Sequence, residues 1–129
     1  MASQEQQDEK DLWKGLQEDL LSQQERLRKE LKEIGLMVEQ SQLEVNKLGQ
    51  RNASITAHLQ QVQAQFDSMP REDIRMTYDS ALDTQQRLLV MRGQLDKLQN
   101  DQNHLKRLTQ VIEQVLKTLE GGKDAVSKV

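Results

Sequence analysis

The stretch Phe66-Asp67-Ser68-Met69-Pro70-Arg71-Glu72-Asp73 decides how this chain folds, because it holds the only proline and lies near the middle of the sequence. Long segments without a strong helix breaker flank it on both sides. A proline ends or kinks a helix by removing one N–H and crowding the preceding turn, so the simplest reading is two helices joined by one sharp turn. Pro70 fits the first turn of the second helix, where its missing donor costs nothing, and Glu72 and Asp73 complement the positive end of the helix dipole there. Asp67 or Ser68 is the expected N-cap.

Outward from the turn, the apolar spacing takes over. From Leu27, the residues Leu31, Ile34, Val38, Ser41, Val45, Leu48, Asn52, Ile55, Leu59, Val62 and Phe66 follow in alternating steps of four and three. From Ile74 the same alternation runs through Thr77, Ala81, Thr84, Leu88, Met91, Leu95, Leu98, Gln102, Leu105, Thr109, Ile112, Leu116 and Leu119. This is heptad spacing, a single narrow stripe on each helix, whereas a strand would need alternation by two. The expected fold is all-α: an antiparallel two-helix coiled-coil hairpin, with helix 1 over about 11–66, the turn at 67–70 and helix 2 over about 70–120. At 1.5 Å per residue each helix is roughly 60 to 75 Å long. Residues 1–10, polar after Met1 and Ala2, read as a frayed or disordered lead-in. Gly121-Gly122 reads as the end of helix 2, with a flexible tail over 121–129.

Antiparallel packing restricts the pairing to steps of one heptad. With the turn centred on Ser68, Val45 faces Met91, Leu48 faces Leu88, Leu31 faces Leu105 and Asn52 faces Thr84. That register puts the polar seam residues Asn52 and Thr84 in one layer, where a hydrogen bond between them would avoid a penalty of roughly 1–3 kcal/mol per unsatisfied group. One heptad away, a register pairing Ser41 with the third polar seam residue, Gln102, stays open. Replacing Asn52 and Thr84 together by Leu is expected to stabilise the hairpin.

A second apolar set lies off the seam: Leu36, Met37 and Leu43 on the first helix, and Tyr78, Leu82, Leu89, Leu108, Val111 and Val115 on the second. One hairpin leaves much of this in water, so Leu36, Leu43, Leu82, Leu89, Leu108 and Val115 are the candidate surface for a homodimer forming a four-helix bundle, or for a helical partner. Trp13, with Leu12, Leu16, Leu20 and Leu21 around it, is expected to cover the open end of the bundle. Gly15, Gly35, Gly49 and Gly93 read as tolerated surface positions in the helices.

Composition narrows the function. With 35% hydrophobic and 2% aromatic residues against 30% charged, the 129-residue chain lacks the bulk to fill a wide core. A net charge of −3 with both signs interspersed offers no basic face to nucleic acid and no polybasic membrane anchor. No apolar run is long enough to span a bilayer, and Met1 to Glu9 lacks the basic start and apolar middle of a signal peptide, so the expected location is the cytoplasm. The sequence has no cysteine, hence no disulfide and no thiolate metal site. His58 and His104 stand on different helices without a second ligand at the i+4 position, and read as solvated side chains; no metal is expected. Acidic residues alternate with basic ones, as in Glu25, Arg26, Lys29 and Glu30, the pattern of a solvated helical face. There is no phosphate loop, dinucleotide fingerprint or nucleophilic triad, so neither cofactor nor catalytic residue is assigned.

Phe66, Glu72-Asp73-Ile74-Arg75, Tyr78, Ala81, Gln85, Leu88, Met91, Leu98, Leu105 and Leu108 resemble the N-terminal sensor domain of DegS-type two-component histidine kinases. The resemblance covers the second helix and the end of the first, about half of the chain. Its most specific element is Ile74-Arg75-x-x-Tyr78-x-x-Ala81. What it implies is a helical, cytoplasmic signal-input module that dimerises and passes its state to a kinase core acting on a DegU-like response regulator. The family places a phosphoacceptor helix and an ATP-binding domain after this module, and neither follows Gly121-Gly122, so the chain is expected to be no enzyme by itself. Pro70 stands where the family more often has a polar capping residue. The function expected is signal relay by a shift of helix against helix, eased where Asn52, Thr84 and Gln102 interrupt the seam. The alternative is a structural or adaptor coiled coil with no two-component role.

Overall fold

A computed structural model describes residues 2–127 as two helices, α1 (Ala2–Ala64) and α2 (Arg71–Ser127), with no strand among the described residues. Both are built from good helix formers, Gln, Glu, Leu, Lys and Arg, and neither contains proline. The hairpin divides into two compact units: a turn-side unit, Leu36–Asn100, and a terminal unit made of Met1–Gly35 with Asp101–Val129. Within each unit the two helices run antiparallel along a seam of heptad spacing.

The connection is short because each helix end satisfies its own backbone groups. Gln65 N–H donates to the Gln61 and Val62 carbonyls at 3.1 and 3.2 Å, and Ser68 donates to the Gln65 carbonyl through both its N–H and its hydroxyl, each at 3.0 Å. Ser68 therefore closes α1; it is not the N-cap of α2. The first intrahelical bond of α2 runs from Ile74 N–H to the Pro70 carbonyl at 3.3 Å, which puts Pro70 itself at the N-cap, one step before the position expected. Glu72 and Asp73 follow in the first turn, beside the positive end of the helix. Helix α1 stops at Ala64, so Phe66, the last step of the apolar ladder, lies in the turn and is 62% exposed.

In the turn-side unit Val45, Leu88 and Leu95 form one buried cluster, with Val38, Leu48 and Met91 packed against it. Val62 and Ala81 are buried nearer the turn. In the terminal unit Leu27, Ile112 and Leu116 form the buried cluster, with Leu20 and Leu105 against it. Gln102 Nε2 comes within 3.9 Å of where a Cβ on Gly35 would stand. That level belongs to the register centred on Ser68; a shift of one heptad would bring Leu108 there instead.

Two boundaries differ from the expectation. Residues 2–10 are helical, because Ala, Gln and Glu favour helix even without an apolar stripe. Helix α2 passes through Gly121-Gly122 to Ser127: no glycine among the described residues has the positive φ of a helix-ending cap, and an interior glycine costs about 1 kcal/mol without breaking a helix. Met1 and residues 128–129, the outer parts of the expected lead-in and tail, lie outside the described residues.

Candidate interaction surface

The recognised segment splits between two directions. Ile74 is half-buried and Ala81 buried on the seam, while Arg75 and Tyr78 point outward. Arg75 Nε lies 3.9 Å from Asp79 on the next turn, and Arg87 Nε lies 3.2 Å from Asp83; both pairs are largely exposed and each contributes a few tenths of a kcal/mol. Around the turn, Phe66, Asp67, Met69, Arg71 and Ile74 line a shallow open cleft, and Arg71, Glu72, Arg75, Met76 and Asp79 line a second. Neither cleft encloses a space from which water would be excluded. Among the described residues no group of three His, Asp or Glu side chains is placed to hold a metal, and no helix is long and apolar enough to cross a membrane.

The polar seam residues are differently placed. Thr84 is 3% exposed, and its hydroxyl donates to the Ser80 carbonyl at 2.8 Å. The hydrogen bond expected between Thr84 and Asn52 is not formed, because a threonine within a helix finds an acceptor in its own preceding turn. Thr56, Thr77 and Thr109 do the same, with Asn52, Asp73 and Leu105 as acceptors. Asn52 Oδ1 is left buried without a partner. Gln102 is half-buried beside Gly35.

The candidate surface residues are exposed. Leu36 (61%), Leu43 (60%), Leu82 (44%) and Leu89 (69%) belong to the turn-side unit, as do Met37 and Tyr78. Leu108 and Val115 belong to the terminal unit, together with Val111. Sequence reasoning passed over Met76 and Val90, exposed apolar residues of the turn-side unit. It also missed that the α1 seam reaches back through Gln24, Leu20 and Gln17 to Trp13, all half-buried, while Leu12, Leu16 and Leu21 face solvent. The four-three spacing counted backward from Leu27 would have found these positions. The glutamines hid them.

The arrangement has a buried seam within each unit and exposed leucine and valine outside it. No curated protein matches the chain significantly, and no solved structure does. A family model described as "Sensor protein DegS" matches residues 6–129, so the likeness visible in the second helix extends over α1 as well, and the chain belongs to the DegS sensor protein family.

Proposed function

We propose that this chain is a non-catalytic coiled-coil signalling module that dimerises in the cytoplasm and passes a stimulus on by a small shift of one helix against the other. The family match over residues 6–129 carries the reading, since the family is the sensor part of its system and not the kinase core. Two features of the chain support it. Exposed Leu36, Leu43, Leu82 and Leu89 leave the turn-side unit with apolar surface that a second helix pair would cover. The unpartnered Asn52 Oδ1 marks a layer where the seam is weakly held, and a weakly held layer lowers the barrier between alternative packings of the same two helices.

The partners this reading requires are a second copy and a helical protein such as a kinase core or a DegU-like response regulator. The experiment is affinity capture with the whole chain, followed by identification of what is bound and assay of regulator phosphorylation with wild type and Asn52→Leu. Capture of a kinase core or regulator, with phosphorylation altered by Asn52→Leu, is expected. Capture of cytoskeletal or scaffold proteins alone, with no effect of the chain on regulator phosphorylation, would instead make it a structural adaptor.

A further inference from the structure

The outer part of α1, in the terminal unit, carries two stripes that overlap. The one on the seam is Trp13, Gln17, Leu20, Gln24 and Leu27, in alternating steps of four and three. Beside it run Leu12, Leu16, Leu20, Gln23 and Leu27, in steps of four, four, three and four. The first keeps the 3.5-residue period of a supercoiled pair, whereas the second is nearer the period of a straight helix. Leu20 and Leu27 belong to both. Leu12 is 63% exposed and Leu16 45%, while Gln23 is half-buried, as is Gln24 on the seam itself.

The rest of α1 offers no such choice. There the residue just before each seam position is polar, Met37 excepted: Arg26, Glu30 and Glu33 in the terminal unit, Glu44, Lys47 and Arg51 in the turn-side unit, all exposed. Turning those stretches would drive charge onto the seam, so burial fixes a single rotation. Between Leu12 and Leu27 a turn instead exchanges Trp13, Gln17 and Gln24 for Leu12, Leu16 and Gln23. Neither arrangement buries every apolar side chain. One leaves two leucines in water and the other leaves the indole.

We propose that the outer part of α1 packs on α2 in two rotational settings: the observed one, with Trp13 on the seam, and a second with Leu12 and Leu16 on the seam and Trp13 in water. Leu20 and Leu27, which pack with Ile112 and Leu116, hold the seam in both and act as the pivot. A helix relaxing from the supercoil turns by about 20° per heptad, so the change accumulates from Leu27 toward Leu12 and breaks no backbone hydrogen bond. Close-packed side chains make the two settings discrete. The turn is one form of the helix-against-helix shift put forward above, and rests on that reading only for its use in signalling.

Trp13 is the only tryptophan, so fluorescence of the whole chain reads the setting. Gln24→Leu strengthens the observed stripe and is expected to shift the emission to the blue and reduce quenching by acrylamide. Gln23→Leu, the same change one residue earlier, strengthens the other stripe and is expected to shift the emission to the red and increase quenching. The chain has no cysteine, so the pair Leu16→Cys with Leu119→Cys supplies a second readout. Leu119 stands across from Gln17 in the register centred on Ser68, and the disulfide is expected to form faster with Gln23→Leu than with Gln24→Leu. Emission that stays unchanged or moves to the blue in Gln23→Leu means a single setting and overturns the proposal. A red shift without faster cross-linking is fraying of the helix end and overturns it too. If both readouts move as expected while regulator phosphorylation does not, the two settings stand and their use in signalling falls.

Discussion

The two units share one spacing and differ in how deeply it is buried. The turn-side unit holds Val45, Val62, Ala81, Thr84, Leu88 and Leu95 at 8% exposure or less, whereas among the described residues of the terminal unit only Leu27, Ile112 and Leu116 fall to 9% or below. The contrast is sharpest at the outer end of α1. Toward the turn its seam positions are Val38, Ser41, Val45, Leu48, Asn52, Ile55, Leu59 and Val62, with Ser41 and Asn52 the polar interruptions. In the terminal unit they read Trp13, Gln17, Leu20, Gln24, Leu27, Leu31 and Ile34, so that both glutamines fall in its outer half, where Leu12, Leu16 and Leu21 stand outside. Heptad spacing aligns the helices in both units; residue type sets how much apolar area the seam removes from water. Stability therefore concentrates beside the turn.

The largest effect expected from this contrast is on core truncation. Leu88→Ala should cost about 3 kcal/mol in urea unfolding, as for a fully buried leucine, and Leu20→Ala, half-buried, about 1 to 2 kcal/mol. Equal losses at the two sites would mean that the units are equally packed. Next in size is Asn52→Leu, which removes a buried acceptor without a partner and should stabilise the turn-side unit by about 1 to 2 kcal/mol. Thr84 needs no such rescue, since its hydroxyl is already satisfied by Ser80, so most of the gain expected from changing both residues should come from Asn52 alone. A larger gain from Thr84→Val than from Asn52→Leu would contradict that division.

Gln24→Leu tests the other unit. It should raise hydrogen-exchange protection around Leu27 and Ile112 by about 1 kcal/mol and leave protection around Leu88 nearly unchanged. The smallest effect separates helix propensity from seam packing. Gly49→Ala in one unit and Gly15→Ala in the other add a Cβ that meets nothing within 4 Å, and neither glycine has positive φ. Each should stabilise by about 0.5 to 1 kcal/mol, and alike in both units. A loss at either position would reveal a close approach that the packing does not show.

The parts of the fold legible in the sequence were those written in apolar residues. The ladder from Leu27 to Val62 and that from Ile74 to Leu119 can be counted directly, and with one proline between them they give the hairpin. Four features could not be read that way. Gln17 and Gln24 carry no hydrophobic signal, so the seam seemed to begin at Leu27. Gly121-Gly122 has the composition of a helix stop, but neither glycine takes the left-handed conformation of a glycine cap, and the helix runs on through them. Ser68 caps either neighbour equally well on paper, and its hydroxyl goes to the helix before it. The Asn52 and Thr84 layer was inferred from register, yet whether a threonine bonds across a seam or back along its own helix is decided by geometry that spacing does not encode. The exposed leucines and valines of the candidate surface were visible as apolar residues off the ladder. Which of them share a face follows only once their side of the helix is fixed.

Glu44 and Arg92 are exposed neighbours of Val45 and Met91, which pack in one cluster of the turn-side unit. Spin labels at these two positions, in chains diluted into unlabelled protein so that only distances within one molecule are read, measure the hairpin most directly. The account predicts a separation of roughly 15 to 30 Å, two adjacent helices plus the label arms. A separation of roughly 70 Å, the rise of one continuous helix between the same residues, would contradict it.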